Sequence, residues 1–172
     1  MESHIGIGVG KYIQEKFSMA QNKIFVSSPT ISLSLAKELI SYLKKGINLK
    51  IILSEAVDIQ TKESIDLLHI HSKKKSNNYG VLEIKIIDFI QVALIHAKIY
   101  IIDEKFAIIG SANFTESSFF DLPEYIIIHK EKNAILQITN NFFEIWNKYK
   151  NQSSQYVLKK KIGKLIKKFR KK

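Results

Sequence analysis

The side chains best suited to chemistry lie in one stretch, residues 96–113, which reads HAKIYIIDEKFAIIGSAN. His96 and Lys98 are two residues apart in a segment whose apolar pattern predicts a strand, so we expect both side chains on one face. The next predicted strand ends at Gly110, and Ser111 and Asn113 follow it in a small polar turn. An imidazole, an ammonium, a hydroxyl and a carboxamide around one point would form a phosphate site that contains its own nucleophile.

Alternating strand-like and helical segments surround this stretch and must position it. Strands are predicted where apolar residues alternate or run together, at residues 23–28, 48–54, 82–88, 93–103, 105–110 and 123–130. Helices are predicted where they recur every three to four positions, at residues 9–20, 33–43, 61–71 and 135–149. The first two strands and the helix between them form a βαβ unit, which implies parallel pairing. We therefore predict an α/β fold with a mixed, mostly parallel central sheet of about six or seven strands and helices on both faces.

The composition indicates one soluble domain and excludes several chemistries. The chain has 172 residues, 45% of them hydrophobic, and no cysteine, so it can bury a core without a disulfide. The lack of thiols excludes zinc-finger sites, iron–sulfur clusters and a cysteine nucleophile. The apolar runs are far shorter than the roughly 20 residues of a membrane span, and the chain does not begin with the pattern of a signal peptide. We expect a cytoplasmic protein.

Positive charge is concentrated at the end of the sequence. Residues 150–172 contain ten basic residues and no acidic one, so the other 149 residues carry a net charge of only +1. A helix here would gather the apolar residues on one stripe and leave the cations to contact nucleic-acid phosphates, with an affinity that falls steeply as salt rises. Lysine point charges predict little sequence preference. The expected phosphate contacts are Lys159, Lys160, Lys161, Lys164, Lys167, Lys168 and Arg170.

The stretch at residues 96–113 resembles the signature of the phospholipase D superfamily, H-x-K-x4-D-x6-G-S-x-N, at every defined position. The matching residues are His96, Lys98, Asp103, Gly110, Ser111 and Asn113. The resemblance implies a phospholipase D-like catalytic domain at residues 1–150, followed by a basic amphipathic tail at residues 151–172. Lipid-cleaving members carry two such motifs in a longer chain. A single motif in a chain of this length is similar to the small endonuclease branch, which builds one active site from two subunits.

A second candidate motif in the sequence is incomplete. His71 and Lys73, followed by Asn78, have the spacing of the first half of the signature, but Lys85 and Ile86 stand where Gly and Ser are required. The stretch is also polar and loop-like, so we interpret it as a solvated loop that could touch nucleic acid. The second catalytic half must then come from another copy of the chain.

Phosphodiester cleavage needs a nucleophile on one side of phosphorus and a proton donor for the leaving oxygen on the other. In a two-fold homodimer, one His96 would form a phosphohistidine while its symmetry mate protonates the leaving oxygen and then activates water. Lys98 and Asn113 of both copies would hold the non-bridging oxygens, and Ser111 would add a hydrogen bond. The resemblance implies that Glu124 accepts the Nδ1–H of His96. No carboxylate cluster suited to Mg²⁺ stands out, so we predict no metal and no cofactor.

Other interpretations stay open at this point. The fold could serve as a non-catalytic nucleic-acid-binding module, or as a lipid phosphodiesterase or phosphatidyl transferase at a membrane. The intact His96 favours an enzyme, because a module that only binds has no need of the imidazole. Asp103 belongs to the signature, but we expect it to turn the strand end. Ser27 and Ser28, at the end of a predicted strand, could form an active-site rim or a simple turn.

Overall fold

The computed structural model of the chain describes residues 1–56, 58–87 and 95–149. Within these ranges the strands are β1 (Glu2–Gly6), β2 (Lys23–Ser28), β3 (Asn48–Ser54), β4 (Leu82–Ile87), β5 (Lys98–Ile102), β6 (Phe106–Gly110) and β7 (Glu124–His129). The helices are α1 (Gly10–Ser18), α2 (Leu33–Lys44), α3 (Ile59–Ser72) and α4 (Lys132–Lys148), with a short π-helical turn at Ser117–Asp121. The basic tail and residues 88–94 lie outside the described residues. Among the described ones, no helix is both long enough and apolar enough to cross a membrane.

The seven strands form one sheet in the order β1-β7-β6-β5-β2-β3-β4. The predicted mixed α/β sheet is confirmed, but "mostly parallel" is wrong for its pairings. Only β2–β3 and β3–β4 are parallel, and the other four pairs are antiparallel. Parallel pairing follows the helical crossovers α2 and α3, whereas β5 and β6 are joined by a tight turn. Asp103 and Glu104 both have positive φ in that turn, at 52° and 53°, which matches the twist of an antiparallel hairpin.

The first strand was not predicted from the sequence. Residues Glu2–Gly6 pair antiparallel with β7, with His4 opposite Ile126 and Gly6 opposite Glu124. Only alternate residues of β1 are partly buried, and its polar composition carries no strand signal of its own. The partner strand therefore determines this edge of the sheet. The glycine-rich segment from Gly6 to Gly10 connects β1 to α1.

Helices cover both faces of the sheet, as predicted. The first three pack on one face, where Ile13, Phe17 and Leu39 join strand residues such as Tyr100 in the larger core. The last helix packs on the other face, where the Phe142 ring stacks on Phe25 at a centroid distance of 5.4 Å. Because side chains alternate along a strand, Lys98 lies on the same face as Tyr100, toward the first three helices.

The strand that carries the motif is shorter than predicted. The sequence indicated a strand over residues 93–103, but β5 begins at Lys98, so His96 precedes the strand and does not lie on it. The neighbouring strands set this limit. Lys98 pairs with Gly110, the last residue of β6, and β2 ends at Ser28, directly before Pro29. Residues before Lys98 therefore have no strand beside them on either side.

Candidate active site

Five of the six predicted catalytic residues lie at the same end of the strands, where β5 and β7 begin and β6 finishes. Lys98 begins β5 and is paired with Gly110, the last residue of β6, which Ser111 and Asn113 follow. Glu124 begins β7, which pairs with β6 in the antiparallel sense. The start of an antiparallel strand lies beside the end of its neighbour. This connectivity gathers side chains that are up to 28 residues apart in sequence.

The imidazole of His96 is in direct contact with the ammonium of Lys98. The Lys98 Nζ lies 2.6 Å from Nδ1 and 3.1 Å from Nε2 of the ring. An ammonium can only donate hydrogen bonds, so the ring nitrogen that accepts must carry no proton. The contact thus suits a neutral imidazole, which is the nucleophilic form, and the His96 side chain is exposed to solvent.

Lys98 is a buried cation. Its exposed fraction is 6%, and it forms no ion pair with any residue in the described ranges. Burial lowers the pKa of the Lys98 ammonium, and the carboxylate of Glu124 partly opposes that change. A desolvated ammonium with no ion-pair partner is well suited to an incoming anion, since attraction between charges is stronger away from water.

Ser111 and Glu124 form a pair of their own. The Ser111 hydroxyl donates to Glu124 Oε2 and accepts the backbone N–H of Tyr125 at 3.0 Å. The Ser111 N–H donates to the Tyr125 carbonyl at 2.9 Å, which ties the turn to β7. Sequence reasoning expected Glu124 to hold His96 and Ser111 to hold the phosphate. In this structure the two side chains engage each other instead, and Glu124 acts on Lys98 through its charge.

Asn113 faces a polar cavity of about 410 Å³. Its carboxamide oxygen is buried and has no hydrogen-bond partner among the described residues. The cavity is lined by Thr30, Ile31, Ser32, Asp58, Gln60, Thr61, Asn113, Thr115, Glu116, Ser117 and Asp121. A buried amide without a partner has a strong need for a hydrogen bond, which a bound ligand can supply. The cavity therefore extends the candidate site from the motif toward the first turns of α2 and α3.

Buried hydroxyls fix the backbone that carries the motif, and sequence reasoning found them only in part. Ser27 Oγ donates to the Ala97 carbonyl at 3.1 Å, and Ser28 Oγ accepts the Phe114 N–H at 2.9 Å. The sequence allowed two interpretations of these serines, an active-site rim or a simple turn. In the structure both form hydrogen bonds to the backbone of segments that carry the motif. Tyr100 was missed. Its hydroxyl donates to the Ala112 carbonyl at 2.7 Å, and its pKa is raised by burial and by Glu124.

We predict that Tyr100→Phe lowers the free energy of unfolding by about 1–3 kcal/mol, because the buried Ala112 carbonyl loses its donor. Urea unfolding at neutral pH would measure the change. Tyr42→Phe is the matched control, since Tyr42 is also buried but its hydroxyl donates to no described residue. Equal losses in the two variants would show that the Tyr100 hydroxyl contributes no more than any buried phenol.

Asp103, the sixth predicted residue, lies elsewhere. It follows the far end of β5, five residues from Lys98, which is about 16 Å along a strand. Its carboxylate accepts the backbone N–H groups of Gln21, Asn22 and Lys23 at 2.8, 2.9 and 2.8 Å. These contacts attach the hairpin turn to the start of β2, in agreement with the expected turn role. The tail lysines and Arg170 lie outside the described residues. Within those residues, no three His, Asp or Glu side chains are grouped as a metal site would require.

Comparison with known proteins gives the same fold. The family model described as cardiolipin synthase, PLD-like domain, matches residues 13–146. No curated protein sequence matches the chain. The chain is similar to NucT from Helicobacter pylori, with a TM-score of 0.66 and 16% identity over 85% of this chain and 96% of that one. It is also similar to Nuc from Salmonella typhimurium, a phospholipase D family member, with a TM-score of 0.62 and 18% identity over 85% and 94% of the two chains.

A third solved structure has the same fold within a larger protein. TrmBL2, an archaeal chromatin protein with a novel mode of DNA binding, has a TM-score of 0.60 and 18% identity. The match covers 86% of this chain and 52% of that one. At these identities the likeness to solved structures establishes the fold alone.

Proposed function

This chain belongs to the phospholipase D superfamily, and from that membership we propose that it is a phosphodiesterase that cleaves nucleic acid through a phosphohistidine intermediate. The observation that carries the proposal is the contact between the exposed His96 imidazole and the buried Lys98 ammonium, 2.6 Å apart, beside the turn that bears Asn113. A nucleophile and an oxyanion-binding cation then meet at one point.

In the proposed reaction, a ring nitrogen of His96 attacks phosphorus and the bond from phosphorus to the leaving oxygen breaks. A second imidazole, in its protonated form, gives its proton to that oxygen. The same imidazole then takes a proton from water, whose oxygen attacks phosphorus and releases His96. Lys98 and Asn113 bind the non-bridging oxygens, and Lys98 stabilises the charge that grows on them in each transition state.

We propose that the second imidazole comes from another copy of the chain. The described histidines other than His96 sit on other elements, and His129 is at the opposite end of β7 from Glu124. The sheet edge around Glu124 also exposes apolar side chains, as expected of a contact surface. They are Ile5, Ile7, Phe120, Leu122 and Tyr125. A two-fold axis near this edge would bring two copies of His96 together.

Nucleic acid is the proposed substrate. The support is the net charge of +11, the ten basic residues at positions 150–172, and the likeness in fold to TrmBL2, an archaeal chromatin protein with a novel mode of DNA binding. We propose that the tail lies along phosphates and adds affinity without sequence preference. The family description, cardiolipin synthase, supports a second candidate, phosphatidyl transfer between lipids.

The deciding experiment incubates the full chain in EDTA with end-labelled single- and double-stranded DNA and RNA, and separately with phospholipid in mixed micelles. We expect cleavage of nucleic acid and no release of lipid headgroups. A His96→Ala preparation, purified identically, controls for contaminating nuclease.

Three results would contradict the proposal in different ways. Activity that EDTA removes and Mg²⁺ restores would refute the metal-independent mechanism. Headgroup release without nucleic-acid cleavage would make the protein a lipid enzyme. Tight binding of nucleic acid with no cleavage of any substrate would make it a binding module.

A further inference from the structure

A cluster of five lysines lies at the end of the sheet opposite the candidate active site. Two of them, Lys44 and Lys45, end α2, and three, Lys73, Lys74 and Lys75, follow α3. The loop that carries the last three leads into the first residue of β4. The candidate active site lies at the other ends of the strands, where β2 and β6 finish. We call these five residues the lysine cluster.

The loop at residues 73–81 is held firmly against the end of α2. The Gly80 N–H donates to the Leu43 carbonyl at 2.8 Å, and the Val81 N–H donates to Asn48 Oδ1 at 2.8 Å. Gly80 also lies so close to Ile47 that a methyl group there would overlap its carbonyl. These contacts bring the two groups of lysines together on one surface.

His71 lies close to both groups of lysines, the one at the end of α2 and the one after α3. The ring of His71 stacks on Tyr79 at a centroid distance of 6.1 Å, and its Nδ1 bonds the Tyr79 hydroxyl. Burial lowers the pKa of His71, and the charges of Lys74 and Lys44 lower it further. A cavity of about 480 Å³ opens beside this pair, lined by Lys74, Lys75, Ser72, Ser76, Asn77, Tyr79, Gly80, Val81 and Leu82.

The positive charge here exceeds what the helices need. Two helix C-termini meet at this end, and each carries the equivalent of about −0.5 charge. About one positive charge would balance them, whereas the cluster supplies five. None of the five forms an ion pair with a residue in the described part of the chain, and the nearby Glu83 is bound to Lys50. The surplus of about four charges is available to an external polyanion.

We propose that the lysine cluster is a second, non-catalytic binding surface for the phosphate backbone of nucleic acid. The side chains offer ammonium groups, hydroxyls and amides, which contact phosphates and carry no base-specific readout. Three lysines of the cluster belong to the incomplete motif at residues 71–78. In this proposal those lysines bind phosphates, while the histidine of the motif packs on Tyr79. Binding here does not require that the protein cleave its ligand.

The geometry also sets a length requirement. The six residues of β4 span about 20 Å between the two ends of the sheet. A duplex rises about 3.4 Å per base pair, so about six base pairs are needed for a duplex that runs along the strands to reach from the cluster to the candidate active site. The benefit of the cluster to a bound duplex must therefore grow with duplex length.

The test compares the full chain with its K73Q/K74Q/K75Q variant, using fluorescence anisotropy of labelled DNA hairpins in a salt series. On a 30-base-pair hairpin we expect about tenfold weaker binding at 0.1 M salt and a slope of log K against log salt that is smaller by about 2–3. On a 5-base-pair hairpin the two proteins are expected to bind alike. The matched control is K37Q/K105Q/K132Q, which removes the same charge from exposed lysines at three separate places, on α2, in the turn between β5 and β6, and on α4.

Several outcomes would overturn the proposal. Equal losses in the two triple variants would mean that only net charge matters, and an equal loss on both hairpins would mean that the cluster does not act at a distance from the site. Loss of binding to anionic phospholipid vesicles, with DNA binding intact, would assign the surface to a membrane. Cleavage of a small phosphodiester is expected to be unchanged in K73Q/K74Q/K75Q. If the proposed catalysis proves wrong, the binding measurements still test the lysine cluster.

Discussion

Replacing His96 by alanine is expected to reduce phosphodiester cleavage by about 10⁴-fold or more while nucleic-acid binding stays within a few-fold of wild type. Removing a nucleophile eliminates the covalent route altogether, and only the slow background reaction is left. Binding depends on cations that contact phosphates, and the imidazole makes its bond to phosphorus only during the reaction. Initial rates on a labelled oligonucleotide in EDTA, with anisotropy for binding, would measure both quantities.

His129→Ala is the matched control for this experiment. His129 is also a histidine of the sheet, but it ends β7 at the edge remote from Glu124, so its loss should leave the rate unchanged. Wild-type enzyme quenched during turnover should also carry an acid-labile phosphoryl group that His96→Ala lacks. A His96→Ala protein that cleaves at the wild-type rate would refute the nucleophile assignment.

The same variant tests whether two copies of His96 share one site. When wild-type and His96→Ala subunits are mixed in equal amounts and allowed to exchange, about one quarter of the dimers contain two imidazoles. Activity should then fall to about one quarter, against the half expected from simple dilution. A linear decline with the fraction of His96→Ala, or a fully active monomer in sedimentation, would contradict the shared site.

The sequence and the structure agree most closely where local signals are strong. The boundaries of β2 and β3 follow from the sequence, because each is a short apolar run that a proline, a polar residue or a helix cap limits. The edge strand β1 carries no such signal, since its pairing with β7 involves residues more than 100 positions away. The start of β5 was misplaced for a related reason. Hydrogen-bonding neighbours end a strand, and the neighbour β2 ends at Ser28, which is 70 positions before Lys98 in the sequence.

The candidate site shows the same division between residue identity and residue contact. Residue types and spacing identified His96, Lys98, Ser111 and Asn113, and the resemblance to the phospholipase D superfamily added Glu124. Neither identified which side chains touch. The Ser111–Glu124 hydrogen bond depends on how β6 and β7 are aligned, which is a property of the sheet. Tyr100 gives no chemical signal in the sequence, because a tyrosine in a strand of isoleucines is expected to be core. Its role appears only when the Ala112 carbonyl is found against its hydroxyl.

Replacing Lys98 by methionine is expected to lower cleavage by about 100- to 1,000-fold and at the same time to stabilise the fold. The loss of rate follows from removing a preorganised cation that faces the charge of the transition state. The gain of stability follows from burial, because a desolvated ammonium without an ion-pair partner destabilises the folded state and methionine fills a similar volume. We expect the free energy of unfolding at neutral pH to rise by about 1 kcal/mol.

The pH dependence distinguishes this explanation from a general packing effect. Burial lowers the pKa of Lys98 below its ordinary value of 10.5, so between the two values the unfolded chain holds a proton that the folded chain has released. Wild-type stability therefore gains relative to Lys98→Met as pH rises through this window. The advantage of Lys98→Met should be largest below the folded pKa and should vanish near pH 10.5.

Urea unfolding of both proteins across this pH range, with cleavage rates measured in parallel, would test the prediction. Lys16→Met is the matched control, because Lys16 is a buried lysine too, at 7% exposure, but it is paired with Glu15 at 2.6 Å on α1. That substitution removes an ion pair and should neither stabilise the fold nor slow cleavage. If Lys98→Met is less stable than wild type at neutral pH, the ammonium stabilises the folded chain. That result would contradict the description of the Lys98 ammonium as a destabilising cation that is held in place for catalysis.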